Sequence, residues 1–256
     1  MLSEQSMNKI NESIGTLKQP VRMVLFTADV GCDTCPAMVD LSRALKARSN
    51  LLALEIYDKA MDRDKTDLYG IKATPALVIQ AADGKFVTLY GRVDDTCLDV
   101  LLATINGVSI SKEWFPQNIV RTLSHLTNDV AIRVLADRDC KQCVPVIETA
   151  IGLGFTNALV STSIFMSRDF PEMMKRYAVA ELPKTIFGEN LHLDGHVTEG
   201  EFLEMIFQAE GIKTGPEKRC LICGSSTPDV ICNSCKTKIQ AEAVDHKFRG
   251  ERLRSS

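Results

Sequence analysis

Val21-Arg22-Met23-Val24-Leu25-Phe26-Thr27-Ala28-Asp29-Val30-Gly31-Cys32-Asp33-Thr34-Cys35 runs from an apolar stretch into two cysteines separated by two residues, and the arrangement returns between Ala131 and Cys143. Cys32-Asp33-Thr34-Cys35 stands 43 residues before Pro75, and Cys140-Lys141-Gln142-Cys143 stands 43 residues before Pro183. Two landmarks recurring at one offset of 108 residues indicate an internal duplication. A buried strand, a Cys-x-x-Cys opening a helix and a distant proline opening another strand together point to dithiol chemistry.

Outward from these motifs, the first copy reads β-α-β-α-β-β-α. The strand Val21 to Thr27 is followed by a helix carrying Pro36, Met38, Leu41 and Leu45, with Pro36 tolerated in its first turn. Leu51 to Tyr57 reads as a strand and Asp58 to Tyr69 as a helix or turn. Ala76 to Gln80 and Phe86 to Tyr90 form a hairpin about Asp83-Gly84, followed by a helix from Asp94 to Ile105. The second copy repeats the order. Its strand is Ala131 to Leu135, and dithiol and helix run from Cys140 to Leu153. A short strand Ala158 to Ser161, a helix Pro171 to Tyr177, a hairpin of Lys184 to Phe187 with Leu191 to His196, and a helix Glu199 to Ala209 complete it. Tyr90-Gly91-Arg92-Val93 matches Asp194-Gly195-His196-Val197 if the second hairpin is four residues shorter, and Ala28-Asp29 matches Ala136-Asp137 ahead of the dithiols. Residues 1–19 read as a short packing helix with Met7, Ile10, Ile14 and Leu17 on one face, ended by Pro20. Gly107 to Asn128, with Trp114-Phe115-Pro116, takes the same place before the second copy.

At 256 residues, with 45% apolar and 25% charged composition, the chain has material for two cores of about a hundred residues each. The net charge of -3 gives no electrostatic reason to expect nucleic acid or an anionic membrane as partner. No stretch reaches the roughly 18 apolar residues of a membrane span, and the N-terminus lacks a signal-peptide pattern, so the expectation is a cytosolic protein. Eight of nine cysteines fall in Cys-x-x-Cys pairs. In a reducing compartment such pairs imply redox or metal chemistry. Cys97, on an apolar helix face, reads as a core residue.

Disulfide exchange needs a thiolate that attacks and a second thiol that resolves the mixed disulfide. A helix N-terminus stabilises the thiolate, which makes Cys32 and Cys140 the nucleophiles and Cys35 and Cys143 the resolving thiols. The inner residues predict a difference. Asp33 places an anion beside Cys32 and Lys141 a cation beside Cys140, so Cys140 is the more acidic of the two. The bland reading is two pairs of buried or metal-binding thiols, including one metal site shared by all four.

Over residues 20 to 211 the chain resembles the thioredoxin superfamily, specifically the protein disulfide oxidoreductases built from two fused thioredoxin-fold units. The resemblance implies a central mixed sheet flanked by helices in each unit. It also implies a cis proline facing each dithiol, with Thr74-Pro75 and Leu182-Pro183 binding substrate. It implies protein disulfides as substrates and a flavoprotein donor of the thioredoxin reductase type; no nicotinamide or flavin site is visible in the sequence, so no bound organic cofactor is expected. Two departures stand out. The buried carboxylate expected six residues before the first cysteine is replaced by Phe26 and Val134, with Asp29 and Asp137 as substitutes or plain turn residues. The inner dipeptides also differ from the usual Gly-Pro.

After Gly211-Ile212-Lys213-Thr214-Gly215-Pro216, a linker, the composition changes. Cys220-Leu221-Ile222-Cys223-Gly224 and Cys232-Asn233-Ser234-Cys235 are two knuckles able to present four thiolates tetrahedrally. The module resembles a zinc ribbon with structural zinc; rubredoxin-like iron and further redox dithiols are the alternatives. So small a module folds on its metal. Its basic surroundings, Lys213, Lys218, Arg219, Lys236 and Lys238, suit an acidic protein surface or are simply solvated, and a mobile charged tail follows. His192 and His196 read as surface residues before a metal pair, and Gly152-Leu153-Gly154 as a helix terminus.

The expectation is therefore an α/β chain with a first thioredoxin-like unit at 1–107, a second at 108–212, and a zinc-ribbon-like module with charged tail at 213–256. Its function would be protein thiol-disulfide exchange. A dedicated shuttle between a flavoprotein and one partner enzyme, or a non-catalytic redox-sensitive adaptor, are the rival readings.

Overall fold

The computed structural model describes residues 4–93, 95–210, 219–225, 227 and 229–252. After helix α1 (Glu4–Ile14) the first repeat contains β1 (Val21–Thr27), α2 (Cys35–Lys46), β2 (Leu52–Asp58), α3 (Arg63–Leu68), β3 (Ala76–Gln80), β4 (Phe86–Tyr90) and α4 (Asp95–Ser109). The short α5 (Gln117–Leu123) precedes the second repeat: β5 (Val130–Ala136), α6 (Val144–Thr156), β6 (Val160–Met166), α7 (Pro171–Arg176), β7 (Lys184–Phe187), β8 (Leu191–Asp194) and α8 (Glu199–Ala209). Helix α9 (Asn233–Arg252) closes the described chain. The element order is the expected one, twice. β6 is longer than the expected Ala158 to Ser161 strand, because its second half lies between two neighbouring strands and is buried from Ile164 to Met166. β8 stops at Asp194, where Gly195 turns the chain.

The eight strands form one sheet in the order β2-β1-β3-β4-β6-β5-β7-β8. Within each half the pairing is the same: parallel between the first two strands in sequence, antiparallel along the rest. The halves join where β4 pairs with β6 in parallel, Val87 to Tyr90 against Thr162 to Phe165. This junction overturns the expectation of one core per repeat. A continuous sheet has continuous faces, so the two apolar clusters divide by face. One gathers Leu25, Met38, Leu98, Val134, Ile147 and Phe202 beneath α1, α2, α4, α6 and α8. The other gathers Val24, Phe26, Tyr69, Tyr90, Leu135 and Phe165 on the side of α3 and α7. Each spans both repeats.

The register also corrects the offset of 108 locally. Val21 faces Leu52 and Val130 faces Val160, so β1 maps onto β5 one residue further along than β2 maps onto β6. The loop before the second dithiol is one residue shorter. Phe26 and Val134 therefore stand at equal distances from their dithiols yet on opposite faces, and the counterpart of Val134 is Leu25. The second hairpin is four residues shorter, as expected: Ala76 pairs with Tyr90 and Lys184 with Asp194.

Gly152 and Gly154 lie inside α6, not at a terminus. A Cβ on Gly154 would stand 2.9 Å from Thr162 Oγ1 and 3.0 Å from Val87, so glycine there lets α6 settle onto the β4–β6 junction. The C-terminal module packs on α8. Cys220, Val230, Ile231, Cys235, Ile239 and Ala243 belong to the large core. The module is thus continuous with the main fold, and the expected charged tail is mostly the helix α9; residues 253–256 lie outside the described ones, as does the linker 211–218. No helix of the described residues is long and apolar enough to cross a membrane.

Candidate functional site

Both dithiols sit where a central strand ends and a helix begins, and both are closed as disulfides, Cys32–Cys35 and Cys140–Cys143, with Cα atoms 5.4 and 5.3 Å apart. Tight turns shape them: Cys35 N–H donates to Cys32 O at 3.2 Å, and Cys143 N–H to Cys140 O at 3.1 Å. In the first repeat the α-helix starts at Cys35, with Pro36 in its first turn; in the second a 3₁₀ turn over Lys141–Cys143 leads into α6. The outer cysteine of each pair is half-buried and the inner one buried, Cys143 completely. A helix start beside each outer cysteine puts the positive end of the helix dipole next to its sulfur.

Thr74-Pro75 and Leu182-Pro183 are both cis. Pro75 precedes β3, which pairs with β1, the strand leading to Cys32; Pro183 precedes β7, which pairs with β5. In the second repeat a direct bond ties dithiol loop and proline loop together, Gln142 Nε2 donating to Leu182 O at 2.8 Å.

Leu25 and Val134, fully buried, occupy the strand positions beneath α2 and α6, so no carboxylate underlies either inner cysteine there. Asp29 is exposed. Asp137 is engaged: its Oδ2 accepts from Arg168 Nε at 3.0 Å and Ser167 Oγ at 3.3 Å, while its backbone oxygen accepts from Cys140 N–H at 3.1 Å. Arg168 also reaches Asp139 Oδ2 at 2.6 Å. The Asp139 hydrogen bond, then the Asp137 charge, raise the Arg168 pKa. The turn-residue reading of Asp137 fits this network. The first dithiol lacks it, because Ala60 stands where the repeat offset places Arg168.

Cys97 is buried in the core as expected, its Sγ 3.6 Å from Met166 Sδ and 3.8 Å from the Asp137 carbonyl, across the repeat boundary. His192 and His196 are exposed, with His192 3.9 Å from Asp194; neither joins a metal-binding cluster among the described residues.

Cys220, Cys223, Cys232 and Cys235 do converge, with all four sulfurs within 4.8 Å of one another, and can hold a metal ion. Cys223 and Cys232 Sγ lie 3.7 Å apart. Tetrahedral thiolates at about 2.3 Å from zinc would be about 3.8 Å apart, so the spacing fits. Gly224, with φ +72°, returns the chain so that its N–H donates to Cys220 O and Ser225 O accepts from Cys220 N–H, each at 2.8 Å. The second knuckle opens α9, so this half of the module is helical and not stranded. The Ser225 hydroxyl and amide bring the Cys223 pKa down to about 6. Burial pushes Cys220 up, but amides of Cys232, Cys223 and Ile222 outweigh it and lower the thiol. Cys235 is raised, first by burial and then by neighbouring sulfurs. Such a set favours thiolate at the rim and requires a cation to hold all four.

Lys236 is engaged within the chain. Its ammonium pairs with Glu204 on α8 and with Asp229 at 3.2 Å, and Lys247 reaches buried Glu199 at 2.7 Å. These clamps and the Gln142 bond were invisible in the sequence, where Lys236 read as part of a basic surface. Of the remaining basic residues, Arg219 and Lys238 are exposed, while Lys213 and Lys218 lie outside the described residues.

No family model and no curated protein matches the chain. Solved structures do share its fold. A protein disulfide oxidoreductase from Aeropyrum pernix is similar with TM-score 0.76 at 21% identity, over 82% of this chain and 95% of that one. The NTD_N/C domain of the alkylhydroperoxide reductase AhpF from Enterococcus faecalis gives TM-score 0.72 at 17% identity, over 80% and 100%. Sso1120 from Sulfolobus solfataricus gives 0.53 at 16%, over 75% and 98%. The tandem thioredoxin fold is thereby shown.

Proposed function

We propose that the chain is a thiol-disulfide oxidoreductase acting on protein disulfides through two sites, Cys32–Cys35 and Cys140–Cys143. One observation carries this reading: each repeat brings a closed Cys-x-x-Cys at a helix start together in the fold with an X-cis-Pro preceding the neighbouring strand. The tandem fold shared with a protein disulfide oxidoreductase supports it.

In the reductive direction, the outer cysteine thiolate (Cys32 or Cys140) attacks one sulfur of a substrate disulfide, and the other substrate sulfur leaves as a thiolate and takes up a proton. The inner cysteine (Cys35 or Cys143) loses its proton and attacks the outer sulfur. The second substrate sulfur departs as a thiol, and two electrons have moved to the substrate. The closed enzyme disulfide then needs two electrons from a dithiol donor; a flavoprotein of the thioredoxin reductase type fits that requirement. Thr74-Pro75 and Leu182-Pro183 would seat the substrate chain. Cys220, Cys223, Cys232 and Cys235 would hold zinc in a structural role, tying the 220–225 loop to α9. On this reading residues 1–107 and 108–212 are the redox units, 213–256 the metal module, and the cytosol is the compartment, since cysteines grouped for redox and metal chemistry suit it.

The test is dithiothreitol-driven reduction of insulin by wild type, Cys32→Ser, Cys140→Ser and the double variant. Turnover lost in the double variant is expected. No turnover by folded wild type would sink the general activity. A dedicated shuttle is the second reading, favoured by the likeness to a domain of an alkylhydroperoxide reductase; it predicts poor insulin turnover with fast exchange against one partner.

A further inference from the structure

The two dithiols share a fold but not their immediate walls. Gln142 sends its carboxamide across to the Leu182 carbonyl at 2.8 Å. At the repeat offset Gln142 corresponds to Thr34 and Leu182 to Thr74, and among the described residues no hydrogen bond joins that pair. The bond spans an open groove of about 600 Å³, walled by Asp139 to Gln142 on one side and Ala180 to Leu182 on the other, with Cys140 in its lining. Leu182 precedes β7, so the sheet claims neither its N–H nor its C=O. Backbone groups left over beside a groove are what an incoming extended peptide pairs with. In the second repeat one lone pair of that carbonyl is already engaged, by a carboxamide that itself lines the groove.

We propose that Gln142 is a specificity gate on the second dithiol, favouring small disulfides over extended peptide disulfides. This inference rests on the redox reading given above. A peptide delivering its disulfide to Cys140 from the groove meets the carboxamide on the approach to Leu182 O and pairs there at the expense of the Gln142 bond. A small disulfide makes no backbone pairing and leaves the bond in place. The first dithiol, with Thr34 at the corresponding position, carries no such bias. One net hydrogen bond separates the cases, about a fivefold discrimination.

The test uses the full chain with Cys32→Ser and Cys35→Ser, leaving Cys140 and Cys143 as the only redox pair. The reduced protein is mixed with 5,5′-dithiobis(2-nitrobenzoate), and separately with an extended octapeptide whose cysteine is disulfide-bonded to the same thionitrobenzoate. In each case Cys140 sulfur bonds to the retained sulfur and thionitrobenzoate leaves as a coloured thiolate. Cys143 then closes onto Cys140 and expels the second thiol. The readout is the ratio of second-order rates, peptide over small disulfide, which cancels any change in thiolate reactivity. Gln142→Ala and Gln142→Thr are expected to raise the ratio about fivefold. Gln142→Glu, equal in size but unable to donate when ionised, should raise it comparably. An unchanged or lowered ratio in all three overturns the gate. Failure of the parent to release the chromophore from either probe is a different result and overturns the redox reading itself.

Discussion

The rings of Tyr90 and Phe165 stack across the boundary between the repeats, centroids 4.3 Å apart and planes 3° from parallel. Tyr90 ends β4 and Phe165 lies in β6, so the stack sits on the strand pair that merges two four-stranded halves. At the offset of 108, Phe165 corresponds to Tyr57 and Ile164 to Ile56. Ile164 is fully buried, whereas Ile56, on the sheet edge, is 37% exposed. The same position is core in one copy and surface in the other because only one has a strand beside it.

Because both apolar clusters span both repeats, residues 4–210 should unfold in urea as one transition, followed by far-ultraviolet circular dichroism and by Trp114 fluorescence. Phe165→Ala should cost about 3–5 kcal/mol and move both probes together. Two separated transitions in wild type would show that each repeat is its own cooperative unit.

The dithiols should differ in reactivity. Lys141 beside Cys140 and Asp33 beside Cys32 act in opposite directions on the attacking sulfur. After reduction, iodoacetamide at low pH should alkylate Cys140 before Cys32, as read by peptide mass spectrometry. Faster alkylation of Cys32 would reverse the assignment.

The four-cysteine cluster should carry one zinc per chain by elemental analysis. Zinc holds its four ligands as thiolates, so protons compete with the metal for them. Retention should therefore be full at pH 7.5 and decline as the solution is acidified. Iron in the cluster, or no metal after expression with zinc, would contradict the zinc assignment.

Glu210 provides a pH-dependent tie between α8 and the segment before β5. Its Oε1 accepts from Thr127 N–H, and from Thr127 Oγ1 and Asn128 N–H at 2.8 Å each. Burial pushes its pKa up, but those hydrogen bonds outweigh it and hold the carboxyl below its ordinary value. A depressed folded pKa means stability that is present above the unfolded value, about 4.3, and lost as the pH falls through the folded one. Glu210→Gln should lower the melting temperature at pH 7 and have a diminishing effect toward pH 3. An equal effect at both would show that charge is not involved.

Much of this architecture was legible beforehand because its signals are local. Apolar runs, a cysteine pair at a helix start and a proline at a strand start depend on near neighbours, and their repetition at 108 residues announced the duplication; two further Cys-x-x-Cys knuckles announced the four-cysteine module, and the cis prolines were expected from the family resemblance. The merging of the halves through Val87 to Tyr90 and Thr162 to Phe165 was not legible, since a strand carries no mark of which edge it will join. The one-residue slip between β1 and β5 was hidden for the same reason: matching cysteines by number mispaired Phe26 with Val134, and only hydrogen-bond register assigns the face. Lys236, read as a surface charge, became a half-buried clamp once α9 lay against α8. The amino-acid order by itself determined the chemistry available, two dithiols and a four-thiolate set. Tertiary structure alone decided which groups meet, Gln142 with Leu182 and Lys236 with Glu204, because such contacts depend on how distant segments pack and not on their spacing in the chain.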